Sequence, residues 1–311
     1  MPNAIELPRV VIVTRKTPFE QLVERHGTAG QVRFYLESKG QPVARYEQIQ
    51  ERFDRAISAV QAAIPAQQRR ARIDRGDLDR FVFNPDDLIV IVGQDGLVPN
   101  AAKYLSGQLA VGINPDPASY DGVLVRHPPD AIGALLEWVM GGRVGARFAV
   151  QRRAMALTRR EDGQTLLALN EFYLGSRTHQ SSRYRIRAGD REERQSSSGI
   201  VVGTGTGATG WCRSIALQRG LEALLPKPEE RRLAWFVREP FPSVSTGVSL
   251  DHGQLGEREE LVVTSELGDG SVLFADGIET DWVEWLDGQT ATVGVAPETL
   301  NLVVPTPAVA K

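Results

Sequence analysis

Residues 87–105 read DLIVIVGQDGLVPNAAKYL. Asp87 opens a run of five aliphatic residues, Leu88 to Val92. The run has no polar alternation and is too short for a helix, so the sequence predicts a buried parallel strand over 87–92. A Gly-Gln-Asp-Gly turn, Gly93 to Gly96, ends it, and residues 99–105 have the composition of a helix start. Strand, glycine turn and helix in that order are the repeating unit of a layered α/β domain.

The same grammar extends in both directions. Upstream, RVVIVTRKT predicts a buried strand over 10–14, residues 18–38 carry a helix-like pattern (Phe19, Leu22, Val23, Phe34, Tyr35, Leu36), and 48–63 reads as an amphipathic helix. Downstream, LAVGI at 109–113 is strand-like and is followed by the turn-rich NPDPASYDG at 114–122, then VLV. A helix at about 129–140 closes the unit. From Gly141 the pattern changes: RFAVQRRAMALTRR, QTLLALNEFYLG and SSRYRIRAG alternate between apolar and polar residues, with Gly, Asp and Ser turns between them, and RLAWFVREPF, ELVVTSELGD, GSVLFADGIE and TATVGVAPE do the same. The expectation is an α/β, Rossmann-like N-terminal domain over 1–140 and a β-rich C-terminal domain over 141–293. A segment over 294–311 would return a strand to the first domain before a frayed tail. The one exception in the β-rich part is a helix over 209–225, emerging from a glycine-rich loop.

Composition narrows the function classes. The chain has 311 residues, 36 Lys plus Arg against 39 Asp plus Glu, and a formal net charge of −3, so bulk charge favours neither nucleic acid nor an anionic membrane as partner. A single cysteine, Cys212, excludes an internal disulfide and a cysteine zinc cluster. His26, His127, His179 and His252 are too widely spaced to suggest ligands, so no metal site is assigned. Neither a basic leader feeding an apolar run nor a stretch of 18 apolar residues occurs, and a cytoplasmic protein is expected. Only five of the 36 basic residues are lysine, and arginines cluster at 69–75, 143–160 and 177–194. The 69–80 stretch interleaves both signs and reads as a solvated face, whereas Arg177, Arg183 and Arg185 are candidates for binding phosphate or carboxylate.

Three constellations carry chemistry. In the first, Gly93 and Gly96 permit close backbone approach at a strand end, a good place for phosphate. Asp95 would repel that phosphate unless Mg²⁺ intervened or the carboxylate faced a hydroxyl to be deprotonated, both tasks of phosphoryl transfer. An ordinary Asp turn is the plain alternative. In the second, Asn170 and Glu171 stand side by side at a strand end, where an amide and a carboxylate can hydrogen-bond vicinal ribose hydroxyls. A turn Asn followed by a surface Glu is the commoner cause of such a pair. The third is SSSGIVVGTGTGATGWCRSIAL, residues 196–217, with Gly203, Gly205, Gly207 and Gly210 interleaved with Thr204, Thr206 and Thr209 before a helix. Here glycines clear one wall, hydroxyls and helix-start amides supply donors, and Trp211 offers an aromatic face. The loop fits neither the phosphate loop ending in GK[ST] nor a dinucleotide fingerprint after a first strand.

In this order the three motifs resemble the NAD kinase family. GQDG resembles its Gly-Gly-Asp-Gly motif, LNE its Asn-Glu motif and TGTGATGW its Thr/Pro/Gly/Ser loop. Ser197–Gly199 before the loop, TGTG at 204–207 and the Asn-x-Asp-Pro turn at 114–117 are most similar to the mitochondrial-type branch. VVIVTRKT, REPF at 238–241 and FADG at 274–277 extend the resemblance over nearly the whole chain. The resemblance implies the NAD kinase/diacylglycerol kinase-like fold, an active cleft between the two domains, and a homodimer or homotetramer. It implies transfer of a phosphoryl group from ATP, carried with Mg²⁺, to the 2′-hydroxyl of the adenosine ribose of NAD, making NADP. Asp95 then matches the catalytic aspartate, Gly93 and Gly96 the phosphate-approach glycines, and Asn170 and Glu171 the dinucleotide-binding pair. Thr206, Thr209, Gly210 and Trp211 match positions around the adenine and ribose pocket. Gln94 stands where the family usually has its second Gly, and Leu97 where it usually has Thr. If residue 94 must adopt positive φ or admit a phosphate closely, Gln94 costs local strain or blocks the pose; the milder reading is that its amide donates to a phosphate in place of a backbone contact. Two other readings are a non-catalytic NAD(P)(H)-binding regulator and a small-molecule kinase of the same superfamily.

Overall fold

Every residue of Val10–Thr14 (β1) is buried, as a strand without polar alternation requires. It opens a computed structural model that describes residues 8–143, 145, 147–277 and 282–306. The chain divides into two units, one running to Gln151 and resuming at Asn301, the other Arg152–Leu300.

In the first unit β1 is followed by Pro18–His26 (α1), Ala29–Ser38 (α2), Val43–Ala63 (α3), Arg70–Asp74 (β2), Leu88–Val92 (β3), Leu97–Ala102 (α4), Leu109–Ile113 (β4) and Ile132–Met140 (α5). The strands form a parallel sheet in the order β2, β1, β3, β4, with residues 301–303 pairing parallel on the far side of β4. β1, β3 and β4 are buried at every position, so both faces of the sheet are covered. Phe53, Ala56, Ile57 and Val60 of α3 and Ile132, Leu135, Leu136 and Trp138 of α5 pack against Val10, Ile12, Leu88, Val90, Val111 and Ile113. Thr17 starts α1 with a capping box: its hydroxyl accepts the Glu20 amide at 3.1 Å, and Glu20 accepts the Thr17 amide at 2.7 Å. Gly27, at φ 90°, ends that helix, and Thr28 caps α2, so the continuous pattern over 18–38 becomes two helices.

The second unit holds Phe148–Arg160 (β5, entered from the first unit), Thr165–Ala168 (β6), Glu171–Ser176 (β7), Ser182–Ala188 (β8), Arg191–Ser197 (β9), Ile200–Gly203 (β10), Trp211–Arg219 (α6), Leu233–Val237 (β11), His252–Leu255 (β12), Glu260–Ser265 (β13), Ser271–Ala275 (β14), Trp282–Glu284 (β15) and Thr290–Pro305 (β16, which runs back into the first unit). One antiparallel sheet has the order β12, β11, β10, β7, β14, β15. In another, β16, β13, β8 and β9 are neighbours, with β5 and β6 joined at β16. Phe172, Leu174, Ile200, Val202 and Trp235 of the one meet Tyr184, Ile186, Leu261, Val263 and Val293 of the other in a common core. Cys212, Ile215 and Ala216 of α6 pack on Val201, Ala234 and Phe236, on the opposite face of the six-stranded sheet.

Several local expectations need correction. The strand β2 has the sequence RARID, whose exposed edge positions Arg70 and Arg72 carry charge, and its polar reading concealed it. Helix α3 starts five residues before 48, and α4 occupies 97–102 rather than starting at 99. The helix expected over 209–225 is a 3-10 turn, the nine-residue α6 ended by Gly220 at φ 66°, and a second 3-10 turn. The two units divide at residues 151/152 and 300/301. The cause is packing: Phe148 and Val150 join the first unit's core, and β16 continues unbroken past 293. Of the tail, residues 307–311 lie outside the described residues.

Candidate functional site

In the first unit the chain leaves β1 for β2 on one side and returns to β3 on the other. The carboxyl ends of β1 and β3 therefore flank a topological switch point, where open parallel sheets bind ligands. A pocket of about 210 Å³ lies there. Arg15 to Pro18 after β1, Gly93, Gln94, Gly96 and Leu97 after β3, Pro115, Asp116 and Tyr120 after β4, and Ile49, Arg52 and Phe53 of α3 line it. Gln94 is exposed and its backbone φ is not positive, so no strain attaches to a side chain here. Gly96 has φ −63°, and a Cβ built on it meets no protein atom within 4 Å; its missing side chain leaves open space on the pocket.

Asp95 does not line the pocket with its neighbours. Its carboxylate faces the chain after the 114–122 turn: Oδ1 accepts the amides of Leu124 and Val125 at 2.7 and 3.0 Å, and Oδ2 that of Val123 at 2.9 Å. An ionised carboxylate has about four lone-pair sites, which leaves one, on Oδ2. The segment lies this close because β4 carries Gly112, whose Cβ would fall 2.4 Å from the Leu124 carbonyl. Within the turn, Asn114 accepts the Asp116 amide at 3.0 Å and donates to the Tyr120 carbonyl at 2.8 Å. Arg52 donates through Nη1 to Asp116 at 2.5 Å and to Ser119 Oγ at 3.2 Å. Burial pushes the Asp116 carboxyl up, but the Ser119 hydrogen bond and the Arg52 guanidinium outweigh it and hold it below the usual range.

In the second unit Asn170 and Glu171 sit where β6 turns into β7. Among the described residues neither side chain makes a hydrogen bond, although both are half-buried. Burial, reinforced by the charge of Asp276, pushes the Glu171 carboxyl up to about 7. The glycine-rich loop folds over this turn: Thr204 donates through its amide to the Asn170 carbonyl at 2.8 Å and through its hydroxyl to Leu169 at 2.5 Å. Glycines 203, 205 and 207 do not clear a wall for ligand, as the sequence suggested. A Cβ on Gly205 would lie 2.0 Å from the Lys227 carbonyl, and one on Gly207 would lie 2.2 Å from that of Asn170. Protein backbone fills those two spaces, and the Cys212 side chain fills the one at Gly203. Thr206 is likewise buried, with its hydroxyl 3.4 Å from Arg153 Nη1. Thr209 and Gly210 are exposed, and half-buried Trp211 stacks on Tyr173, with Arg238 over its ring.

The predicted residues thus fall into two groups, one in each unit. Sequence reasoning left Arg15, Lys16, Arg52 and Asp276 without roles. Arg15 and Lys16 follow the quoted VVIVT strand and Asp276 lies in the quoted FADG, whereas nothing local marks Arg52. Of the arginines singled out, Arg185 pairs with Glu266, and Arg177 lies over the Trp282 ring. Among the described residues no cluster of three His, Cys, Asp or Glu side chains could hold a metal ion, and no helix is long and apolar enough to cross a membrane.

The parallel α/β unit and the β-rich unit define the NAD kinase/diacylglycerol kinase-like fold. The structure is similar to the crystal structure of yeast NADH kinase complexed with NADH, with a TM-score of 0.62 over 98% of this chain and 87% of that one, at 13% sequence identity. No protein-family profile matches the chain, and no curated protein matches it by sequence.

Proposed function

We propose that the protein is a kinase that transfers a phosphoryl group from ATP, carried with Mg²⁺, to the 2′-hydroxyl of the adenosine ribose of NAD. The observation that carries this reading is the pocket at the β1/β3 switch point. There the GQDG turn meets Arg15, Lys16 and Arg52, three cations around a space where glycine leaves the backbone open. Phosphoryl transfer asks chiefly for positioning and charge neutralisation, which these groups supply to a polyphosphate chain. Asn170 and Glu171, whose side chains make no hydrogen bond among the described residues, supply the donors and acceptors a ribose needs. Asp95 retains one lone pair on Oδ2 for the departing proton, which leaves late because a carboxylate is a weak base toward an alcohol. The sequence motifs at 114–117, 197–199 and 204–207 favour the mitochondrial-type branch. The yeast enzyme's bound NADH makes NADH the second acceptor to test.

A second reading, a dinucleotide-binding regulator without turnover, is favoured by one observation: three amides already occupy the Asp95 carboxylate. The two readings separate when purified protein is incubated with NAD or NADH, Mg²⁺ and either ATP or polyphosphate, and NADP(H) is quantified by mass. Product that disappears in Asp95→Asn supports the kinase. Dinucleotide binding without product from any donor supports the regulator.

A further inference from the structure

We propose that Arg52 is a donor-binding and positioning residue, shared between a phosphate group in the first-unit pocket and the loop that holds Asp95, so that donor arrival loosens the grip on Asp95. The inference rests on the donor reading of that pocket. Its basis is the way the guanidinium is used. Both hydrogen bonds that Arg52 makes leave from Nη1, one to Asp116 and one to Ser119. Among the described residues Nε and Nη2 donate to nothing, and 37% of the side chain is exposed, on a pocket shared with Gly93, Gln94 and Gly96. A guanidinium offers its donors in a planar fork, and the unused Nε and Nη2 edge matches two oxygens of a phosphate.

The partner of the occupied edge is not an isolated carboxylate. Asp116 belongs to the turn that Asn114 folds through its bonds to Asp116 and Tyr120, and the same stretch of chain delivers the amides of Val123, Leu124 and Val125 to Asp95. A phosphate on the free edge of Arg52 competes with Asp116 for one positive charge, and the two anions repel each other across it. The bond from Arg52 to Asp116 weakens, the turn relaxes, and the three-amide collar around Asp95 opens. Asp95 Oδ2, which keeps one open lone pair within the collar, then also loses its Val123 amide and becomes a better proton acceptor when the donor is present. By linkage the effect is reciprocal: loosening the turn strengthens the hold on phosphate.

The test follows calorimetric binding of inorganic tripolyphosphate and of ATP, together with hydrogen exchange at the amides of 123–125, in wild type, Asp116→Asn and Arg52→Lys. In wild type, tripolyphosphate should speed exchange at these amides several-fold. Asp116→Asn should bind tripolyphosphate roughly 10-fold more tightly, with fast exchange whether or not ligand is present. Arg52→Lys, whose compact ammonium lacks the planar fork that presents one edge to phosphate and the other to Asp116, should bind it roughly 10-fold more weakly and lose the ligand response in exchange. Loss of the Asp116 charge from the pocket wall tightens anion binding by itself, so the coupling is read from the exchange at 123–125, which charge removal alone does not speed. Normal binding with no change in exchange, or an Asp116→Asn protein with unaltered affinity, overturns the coupling while leaving the donor pocket standing. Failure of wild type to bind either probe removes pocket and coupling together. Intact coupling in a protein that makes no NADP(H) upholds the inference and sinks the kinase reading alone.

Discussion

Asp276 Oδ1 accepts the backbone amide of Asn170 at 2.6 Å. Its Oδ2 accepts that of Leu169 at 3.2 Å, and its own amide donates to the Glu171 carbonyl at 2.9 Å. One residue from β14's end therefore pins both sides of the peptide that presents Asn170 and Glu171. It does so from φ 57°, a conformation that non-glycine residues seldom keep without such bonds to hold them.

The clamp makes Asp276→Ala informative. The amides of buried Leu169 and half-buried Asn170 lose their acceptor, a loss of about 1–3 kcal/mol in stability, and the turn at 169–171 loses its fixed geometry. Affinity for NAD, measured by calorimetry at a temperature where the variant is folded, should fall at least about 10-fold. Asp276→Asn keeps one acceptor oxygen and should recover part of it. Wild-type affinity in the folded Asp276→Ala protein would detach the clamp from recognition.

Glu171 gives the protein a signature in pH. Burial first, and the Asp276 charge second, raise its carboxyl to about 7 in the folded state, above the ordinary carboxylate value in the unfolded chain. Between those two values the folded state binds more protons, so the contribution of Glu171 to stability is full below about pH 4 and is lost as pH rises through about 7. Glu171→Gln should therefore be more stable than wild type at pH 8 by on the order of 1 kcal/mol, discounted for its partial exposure, with the gap narrowing toward pH 5. Denaturant titrations at the two pH values check it, and an equal gap at both would remove the buried carboxyl as the cause.

Two glycines from the two motifs should behave oppositely on conversion to alanine. Gly205 has the Lys227 carbonyl where a Cβ would go, whereas Gly96 has open pocket and a φ that alanine adopts freely. Gly205→Ala should lower stability by about 2 kcal/mol or more through forced displacement of backbone. Gly96→Ala should leave the melting temperature within a degree or two of wild type, yet weaken tripolyphosphate binding roughly 10-fold by filling the phosphate path. A Gly96→Ala protein that binds as wild type would place the donor elsewhere.

The contrast shows what sequence can and cannot reveal. Aliphatic runs such as Leu88–Val92 and Leu109–Ile113 report burial on both faces directly, so the interior strands of the α/β unit were legible. The glycine count of the 203–210 loop was legible too, but its cause was not. Whether a missing Cβ makes room for ligand or for Lys227 depends on a chain segment more than twenty residues away. Arg52 escaped for the same reason, because its partners lie 64 and 67 residues along the chain and no local pattern encodes them. The strand Arg70–Asp74 was hidden because an edge strand is free to carry charge where an interior one is not.

Gln94 departs most visibly from the Gly-Gly-Asp-Gly pattern, and its geometry removes one account of it, backbone strain. A strained relic would need a positive φ, and Gln94 has none. What remains is an exposed amide that makes no hydrogen bond among the described residues and lines the same pocket as Arg15, Lys16 and Arg52. An amide so placed can donate to a phosphate oxygen in place of a backbone N–H, with Asp95 undisturbed because its three partners lie on the 123–125 segment. Gln94→Gly should therefore lower kcat/KM for ATP roughly 10-fold, the scale of one lost hydrogen bond near 1.4 kcal/mol. Gln94→Asn, whose shorter side chain keeps the amide but withdraws it, should fall between the two. A donor titration with NAD saturating measures all three proteins. A clear gain in kcat/KM for Gln94→Gly would mean that the side chain crowds the phosphate path instead of binding it.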